Sequence, residues 1–321
     1  MKYTPTDVAA AATVAAKRIG EIINRTPLTQ SAAFSAASNA DVYLKLENRQ
    51  LTGSFKIRGA SNRLATLSDE QRARGCVAAS SGNHGAAVAC AMQRLGTSGV
   101  IFVPEQTSSA KVDAIRSYDG NVQFFGNDGL DTEQHARAYA EENDMYYLSP
   151  YNDPEVIAGQ GTCGVELVEQ LPDLDVAFIA VGGGGLTAGV SSVLKAHNPN
   201  IRIYGCQPAA SAVMAKSVAA GEILDMPSEP TLSDGTAGGI EAGSITFELC
   251  GDLVDEYVLV SEAEIAAAMR MYMAAENEKI EGAAGVALAA LLARKDAVEG
   301  RKVAVIVCGG NVSQELIDSI Q

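Results

Sequence analysis

The chain has 321 residues, 47% of them hydrophobic, with a net charge of −15 and six cysteines. That length fits roughly two lobes of about 150 residues each, and the apolar share is that of a protein with a full core. The acidic balance, with no basic run longer than two residues, excludes a nucleic-acid partner, and no apolar run approaches the roughly 20 residues of a membrane span.

The first stretch, MKYTPTDVAAAATVAAKRIGEII, carries Asp7, Lys17, Arg18 and Glu21 among its alanines. This predicts an amphipathic helix capped by Thr6, not a signal peptide. Short β-branched runs then predict strands at 42–46, 75–79, 99–103, 122–125, 145–148, 176–181, 201–206, 257–260 and 303–307. Helical patterns separate most of them, such as 85–95, 109–118, 130–143 and 154–170. Such alternation predicts parallel sheets covered by helices, an α/β fold. The runs VAFIAV and VAVIV are continuous enough to be buried on both faces. Residues 221–243, GEILDMPSEPTLSDGTAGGIEAG, lack periodicity and predict a long loop, either a surface excursion or a functional segment. The cysteines Cys76, Cys90, Cys163, Cys206, Cys250 and Cys308 form no C-x-x-C and no zinc spacing with a histidine. Disulfides are therefore not expected, which suits a reducing cytoplasm.

Three glycine-rich turns follow predicted strands, the place where open α/β sheets bind ligands. VAASSGNHGAAVACA puts Ser80, Ser81, Gly82, Asn83 and His84 there. VAFIAVGGGGLTAGVSSVLKA puts Gly182, Gly183, Gly184 and Gly185 before Leu186, and VAVIVCGGNVSQELI puts Cys308, Gly309, Gly310 and Asn311. Four consecutive residues without Cβ let successive N–H groups turn towards one point, and the following helix adds its dipole, so a phosphate is the natural guest. A plain strand–helix turn needs only one or two glycines. Gly183-x-Gly185-x-x-Ala188 formally fits a dinucleotide fingerprint, but the next strand ends in Gln207 instead of an acidic residue for a ribose. No Gly-Lys-Ser/Thr follows a glycine loop, so a P-loop is excluded. A cofactor with a single phosphate remains. If its reactive end is an aldehyde, a lysine must meet it, and LTGSFKIRG offers Lys56 beside Gly53, Ser54 and Phe55.

The motifs GSFKIRGA, SSGNHGAAVA, IAGQGT, VGGGGLTAG and CGGN occur in the order seen in fold-type II pyridoxal-phosphate enzymes. From about Arg25 to Asn311 the chain resembles the threonine/serine dehydratases and serine racemases. The resemblance implies two open, twisted, mostly parallel sheets flanked by helices, the tryptophan synthase β-like fold. Residues 1–74 and 152–321 would form the large cofactor-binding domain, and residues 75–151 a small mobile domain that closes on the substrate. It further implies pyridoxal 5′-phosphate held covalently by Lys56, which also moves the α-proton. Phe55 would pack on the pyridine ring, Asn83 would bond its 3′-oxygen, and Gly182, Gly183, Gly184, Gly185 and Leu186 would cradle the phosphate. Cys308 would face the ring nitrogen, and Glu281, in KIEGAAG, would lie beside the ring. Ser80, Ser81, Asn83 and His84 would receive the substrate carboxylate, with Ser81 also at the position of the racemases' second acid/base. A thiol at the ring nitrogen is a weak hydrogen-bond partner, which suits β-elimination better than transamination.

The implied reaction removes water from a threonine- or serine-like β-hydroxy amino acid, giving a 2-oxo acid and ammonia. The alternatives are a hydroxylated diaminobutyrate of hydroxyectoine breakdown, with Glu241 receiving its amine, an amino-acid racemase using Ser81, and a 3-hydroxyaspartate dehydratase. Relatives bind a cation beside the phosphate loop through carboxylates; GCQPAASAVM has Gln207 and Val213 instead, so no metal is expected. The expected partner is a small amino-acid substrate, with no nucleic acid and no membrane, in a cytoplasmic homodimer or homotetramer. His135 and His197 read as exposed helix positions.

Overall fold

Ten strands occur among the described residues, 3–321 of a computed structural model. They are β1 (Leu28–Gln30), β2 (Asp41–Leu46), β3 (Cys76–Ala79), β4 (Gly99–Val103), β5 (Val122–Phe124), β6 (Tyr146–Tyr147), β7 (Val176–Ala180), β8 (Arg202–Pro208), β9 (Glu256–Val260) and β10 (Lys302–Val307). They build a six-stranded sheet, β1-β2-β10-β7-β8-β9, and a four-stranded sheet, β5-β4-β3-β6. Every pairing is parallel except that of β1 with β2. This is the α/β architecture with two mostly parallel sheets. All strands of the smaller sheet lie between Cys76 and Tyr147, and those of the larger sheet lie on either side. β7 is buried throughout and β10 after its first residue, as expected of central strands covered on both faces.

The helices explain that coverage. Gly282–Ala293 is apolar all round, buried from Gly282 to Leu291, and packs against β7, β8, β9, β10 and the helix Glu262–Glu276. Pro5–Ile19, Pro154–Gln170 and Gly185–His197 pack on one another.

Local chemistry moves some expected boundaries. The first helix is capped by Thr4, not Thr6: Asp7 N–H donates to the Thr4 hydroxyl at 3.2 Å and Thr4 N–H to the Asp7 carboxylate at 3.0 Å. That reciprocal pair leaves Pro5, whose fixed φ suits the first helical position, to begin the helix. β3 starts at Cys76 because Gly75, at φ 90°, closes the helix Asp69–Arg74. β8 runs on to Pro208 because Gln207 and Pro208 stay in register with Leu259 and Val260. β1 escaped the sequence reading; three residues at a sheet edge are too few to show alternation. The stretch 221–243 holds one short 3₁₀ turn, Asp234–Thr236, and is otherwise irregular.

Candidate active site

The segment before Lys56 is tied to the carboxyl end of β10. Ser54 bridges Gly309, Phe55 N–H donates to the Cys308 carbonyl at 3.1 Å, and Gly310 N–H donates to the Gly53 carbonyl at 2.9 Å. Lys56 thus opens the helix Lys56–Thr66 at the strand ends. Its amine donates to the Pro150 carbonyl at 3.0 Å and lies 5.3 Å from the centroid of the Phe55 ring. Part of the lysine stem is accessible, but its amine lies in the interior. Burial lowers its pKa from 10.5 to about 8, against the pull of Glu281 and Cys308 towards the charged form. A drop of that size raises the neutral, nucleophilic fraction near neutral pH by roughly 10²-fold.

Two sets of backbone donors face this crevice. From Gly182 to Thr187 no backbone N–H finds an acceptor among the described residues, although Gly184 to Thr187 are buried. Buried donors left unpaired call for a guest. Gly184 holds φ 87°, and a Cβ on it would sit 2.9 Å from both the Cys250 sulfur and the Met214 methyl. At Gly183 a Cβ would stand 2.4 Å from the Tyr151 ring. Side chains packed behind Gly183 and Gly184 leave no room for a Cβ, so only glycines keep this turn with its unpaired donors, which fits a phosphate. The second set opens the helix Asn83–Leu95: the N–H groups of Ser81, Asn83, His84 and Gly85 have no acceptor among the described residues, while Gly82 N–H turns to the Ser80 hydroxyl at 3.2 Å. Unpaired donors at the positive end of a helix suit a carboxylate.

Asn83 joins the two sides of the crevice. Its Nδ2 donates to Glu281 at 2.8 Å, and its Oδ1 accepts from Asn311 Nδ2 at 2.7 Å. The second Nδ2 hydrogen remains for a ligand. Glu281 is only 5% exposed, and burial raises its carboxyl to about 7 although Asn83 pulls it down. The Cys308 sulfur lies 3.8 Å from Glu281, and burial holds that thiol far above its ordinary value, so it stays protonated. His84 is buried with Nε2 2.9 Å from the Leu148 carbonyl. A carbonyl only accepts, so Nε2 carries the hydrogen. Burial and then the nearby Lys56 lower the ring's pKa to about 3, so His84 is a neutral donor. A carboxylate at this turn is met by N–H groups and hydroxyls, not by an imidazolium.

Under the lysine sits a buried charge cluster that sequence reading missed. Arg58 grips Glu47 through two bonds of 2.7 Å and Glu166 through bonds of 2.7 and 3.0 Å. Lys45 adds bonds to Glu166, to the Thr26 carbonyl at 2.8 Å and to Gln170 at 2.9 Å. Burial alone would raise the Glu166 carboxyl, but Arg58 and Lys45 hold it below its ordinary value. The cluster pins the helix of Lys56 to β2 and to the helix Pro154–Gln170.

Glu241 and His135 lie where the sequence did not put them, whereas His197 is exposed as expected. The Glu241 carboxylate is engaged by Arg137 at 2.8 Å instead of pointing free into the crevice. His135 is half-buried, stacked on Phe125 with centroids 3.6 Å apart, while His197 is exposed and bonds the Pro172 carbonyl. Gln207 uses both ends of its amide, donating to the Val181 carbonyl at 3.0 Å and accepting from Ala215 N–H at 2.8 Å. Pro150 and Tyr151 were also missed. The signal for them existed: they follow the strand predicted at 145–148, at its carboxyl end, as the three glycine turns follow theirs.

The family model described as "Pyridoxal-phosphate dependent enzyme" matches residues 19–309. The chain is 41% identical over 306 residues to the L-threonine ammonia-lyase of Thermotoga maritima, a match covering 95% of this chain and 76% of that protein. It is 39% identical over 310 residues to the catabolic L-threonine dehydratase TdcB of Escherichia coli, covering 95% and 93%. The structure of maize serine racemase superposes with a TM-score of 0.91 at 34% identity, covering 97% of this chain and 95% of that one. Because the family match spans both sheets, the interior lysine and the glycine-rich turns at 80–84 and 182–185, the chain belongs to the pyridoxal-phosphate dependent enzymes.

Proposed function

We propose that the chain is an ammonia-lyase that removes water from a β-hydroxy amino acid of the threonine and serine class, giving a 2-oxo acid and ammonia. The observation that carries this reading is an interior amine, Lys56, with its pKa lowered to about 8, beside two sets of unpaired N–H groups, those of 182–187 and those of 81 and 83–85. Pyridoxal 5′-phosphate, when bound, supplies a carbonyl for the substrate amine and a conjugated ring that accepts the electron pair left at Cα.

In this reading the N–H groups of Gly182, Gly183, Gly184, Gly185 and Leu186 would hold the phosphate. Phe55 would wall the ring beside Lys56, and Asn83 would offer its free Nδ2 hydrogen to the ring oxygen. Cys308, a neutral thiol, would face the ring nitrogen, with Glu281 beside it. The turn of Ser80, Ser81, Asn83 and His84 holds the substrate carboxylate. Neutral Lys56 takes the Cα proton, and the β-hydroxyl leaves as water. Water returns when the nitrogen is lost, so threonine yields one 2-oxobutanoate and one ammonia. Residues 75–151 close over the substrate and exclude solvent. The same reading makes the enzyme a cytoplasmic homodimer or homotetramer; all six cysteines are free and buried, in keeping with a reducing compartment. Among the described residues no helix is long and apolar enough to cross a membrane.

A substrate panel tests the reaction. L-threonine and L-serine are expected to release ammonia with kcat/KM at least about tenfold above 3-hydroxyaspartate or a hydroxylated diaminobutyrate. Glu241 already holds a cation, Arg137, and Glu133 shares that guanidinium at 2.7 Å, so neither a free carboxylate nor a free arginine awaits a charged side chain. A preference for either charged substrate would sink the assignment. A second reading, racemisation, rests on the Ser81 hydroxyl, half-buried and without a hydrogen bond among the described residues. Enantiomer formation outpacing ammonia release would select it.

The lowered pKa of Lys56 predicts a pH profile. Capture of pyridoxal phosphate by the cofactor-free protein requires the neutral amine, so its rate should rise about tenfold per pH unit below the pKa and level off above about 8. Stopped-flow absorbance measures this. A rate still climbing at the ordinary lysine value of 10.5 would show that the crevice does not shift the amine.

A further inference from the structure

One short segment, residues 148–152, touches several parts of the crevice. The Leu148 carbonyl accepts from His84 at 2.9 Å and the Pro150 carbonyl from Lys56 at 3.0 Å. A Cβ on Gly183 would run into the Tyr151 ring, and one on Gly185 would meet the Tyr151 backbone and Cβ first. The Tyr151 hydroxyl accepts from Glu241 N–H at 3.0 Å, and Asn152 Oδ1 accepts from Ile245 N–H at 3.0 Å. The segment follows directly on β6, the edge strand of the smaller sheet.

The chain of contacts continues outward. Glu241 pairs with Arg137, which stands on the helix Gly129–Glu142 packed against β3 and β4. The Arg137 guanidinium lies 4.2 Å from the centroid of the Tyr147 ring on β6. A second ion pair, Lys111 to Asp234 at 3.6 Å, joins the helix Ser109–Arg116 to the same irregular stretch. Asp234 borders Gly235 and Thr236, which a Cβ on Gly182 would meet first. The lobe of the smaller sheet therefore reaches the tetraglycine directly through Tyr151, just after β6, and through two ion pairs to residues 234–241, where the Glu241 N–H holds the Tyr151 hydroxyl.

We propose that Tyr151 is a positioning residue that couples the placement of the smaller-sheet lobe to the phosphate cradle. With Arg137 on Glu241, the Glu241 N–H holds the Tyr151 hydroxyl, and the ring backs Gly183 so that its N–H faces the phosphate. With Arg137 released, residues 237–243 and the ring lose that hold together. Coupling of this kind is reciprocal, so a filled cradle favours the lobe position that closes the crevice. The proposal rests on the cofactor assignment above, since it takes the tetraglycine as the phosphate site.

The test is a double-mutant cycle on Tyr151→Phe and Arg137→Met, with Glu241→Gln as a second way to release the ion pair. Two quantities are read: the dissociation constant of pyridoxal phosphate from the cofactor-free protein, and backbone hydrogen exchange across 182–186 without cofactor. Each single variant should weaken cofactor binding by about 5- to 50-fold and speed exchange across 182–186. The double variant should be no weaker than the worse single one, because both break the same path. Arg137→Met is the sharper arm, since Arg137 reaches the cradle only through two intervening residues. Cofactor affinity and exchange at wild-type values in both Arg137→Met and Glu241→Gln, or losses that multiply in the double variant, overturn the proposal. If wild type itself binds no pyridoxal phosphate, the cofactor assignment fails, while the exchange arm still decides whether Arg137 and Tyr151 act on the glycines.

Discussion

Lys56→Ala is expected to lower kcat for ammonia release by at least about 10⁴-fold. One amine serves two tasks in the proposed reaction, the covalent hold on the cofactor and the transfer of the Cα proton. Among the described residues no other base stands ready at this site: Lys45 is locked against Glu166, and His84 is a neutral donor committed to Leu148. The fold should survive, because the Lys56 amine gives its hydrogen bond to a backbone carbonyl and closes no buried ion pair. Borohydride treatment of wild type should leave a pyridoxyl group on the peptide containing Lys56 and none on the variant's. A variant within about tenfold of wild type would remove Lys56 from the chemistry.

Arg58→Met carries the largest expected loss of stability, about 3–5 kcal/mol. Arg58 and Glu47 are fully enclosed, and Glu166 is only 9% exposed. Taking away the guanidinium leaves two interior carboxylates with Lys45 as the remaining cation of the cluster. Breaking such a pair costs more than the pair itself contributes, because Glu47 is left without water or a cation, holding only the Thr26 hydroxyl. Thermal unfolding at neutral pH, followed by circular dichroism, measures the effect. A change below about 1 kcal/mol would mean that the cluster relaxes or hydrates at little cost. Activity should fall as well, since Arg58 stands two residues after Lys56 on the same helix.

The parts of this enzyme that were legible in sequence share one property: their cause is local. β7 and β10 were visible because doubly buried strands must be continuous apolar runs. The proposed phosphate cradle was visible because four residues without Cβ, at a strand end and before a helix, have few other uses. Lys56 was visible because its neighbours Gly53, Ser54 and Phe55 are an odd setting for a solvated lysine. The misplaced cap at Thr6 was also a local matter, decided by whether Thr4 or Thr6 had an acidic partner three residues on and a proline behind it.

What sequence could not supply was the identity of partners far along the chain. Arg58 meets Glu166 across 108 positions, Arg137 meets Glu241 across 104, and Asn83 meets Glu281 across 198. No periodicity encodes such pairings, because they depend on which strand ends come together once the sheets are assembled. Glu241 looked free in sequence, and only the packing of the helix Gly129–Glu142 against β3 and β4 brought Arg137 to it.

The sequence by itself determined the fold class and pointed to Lys56 and the glycine-rich turns as the proposed site, since backbone freedom and burial patterns are written within a few residues. The tertiary structure alone decided the pKa of Lys56, the neutrality of His84, the engagement of Glu241 and the reach of Tyr151. Desolvation and charge pairing are properties of surroundings in space, and those surroundings are assembled from distant segments.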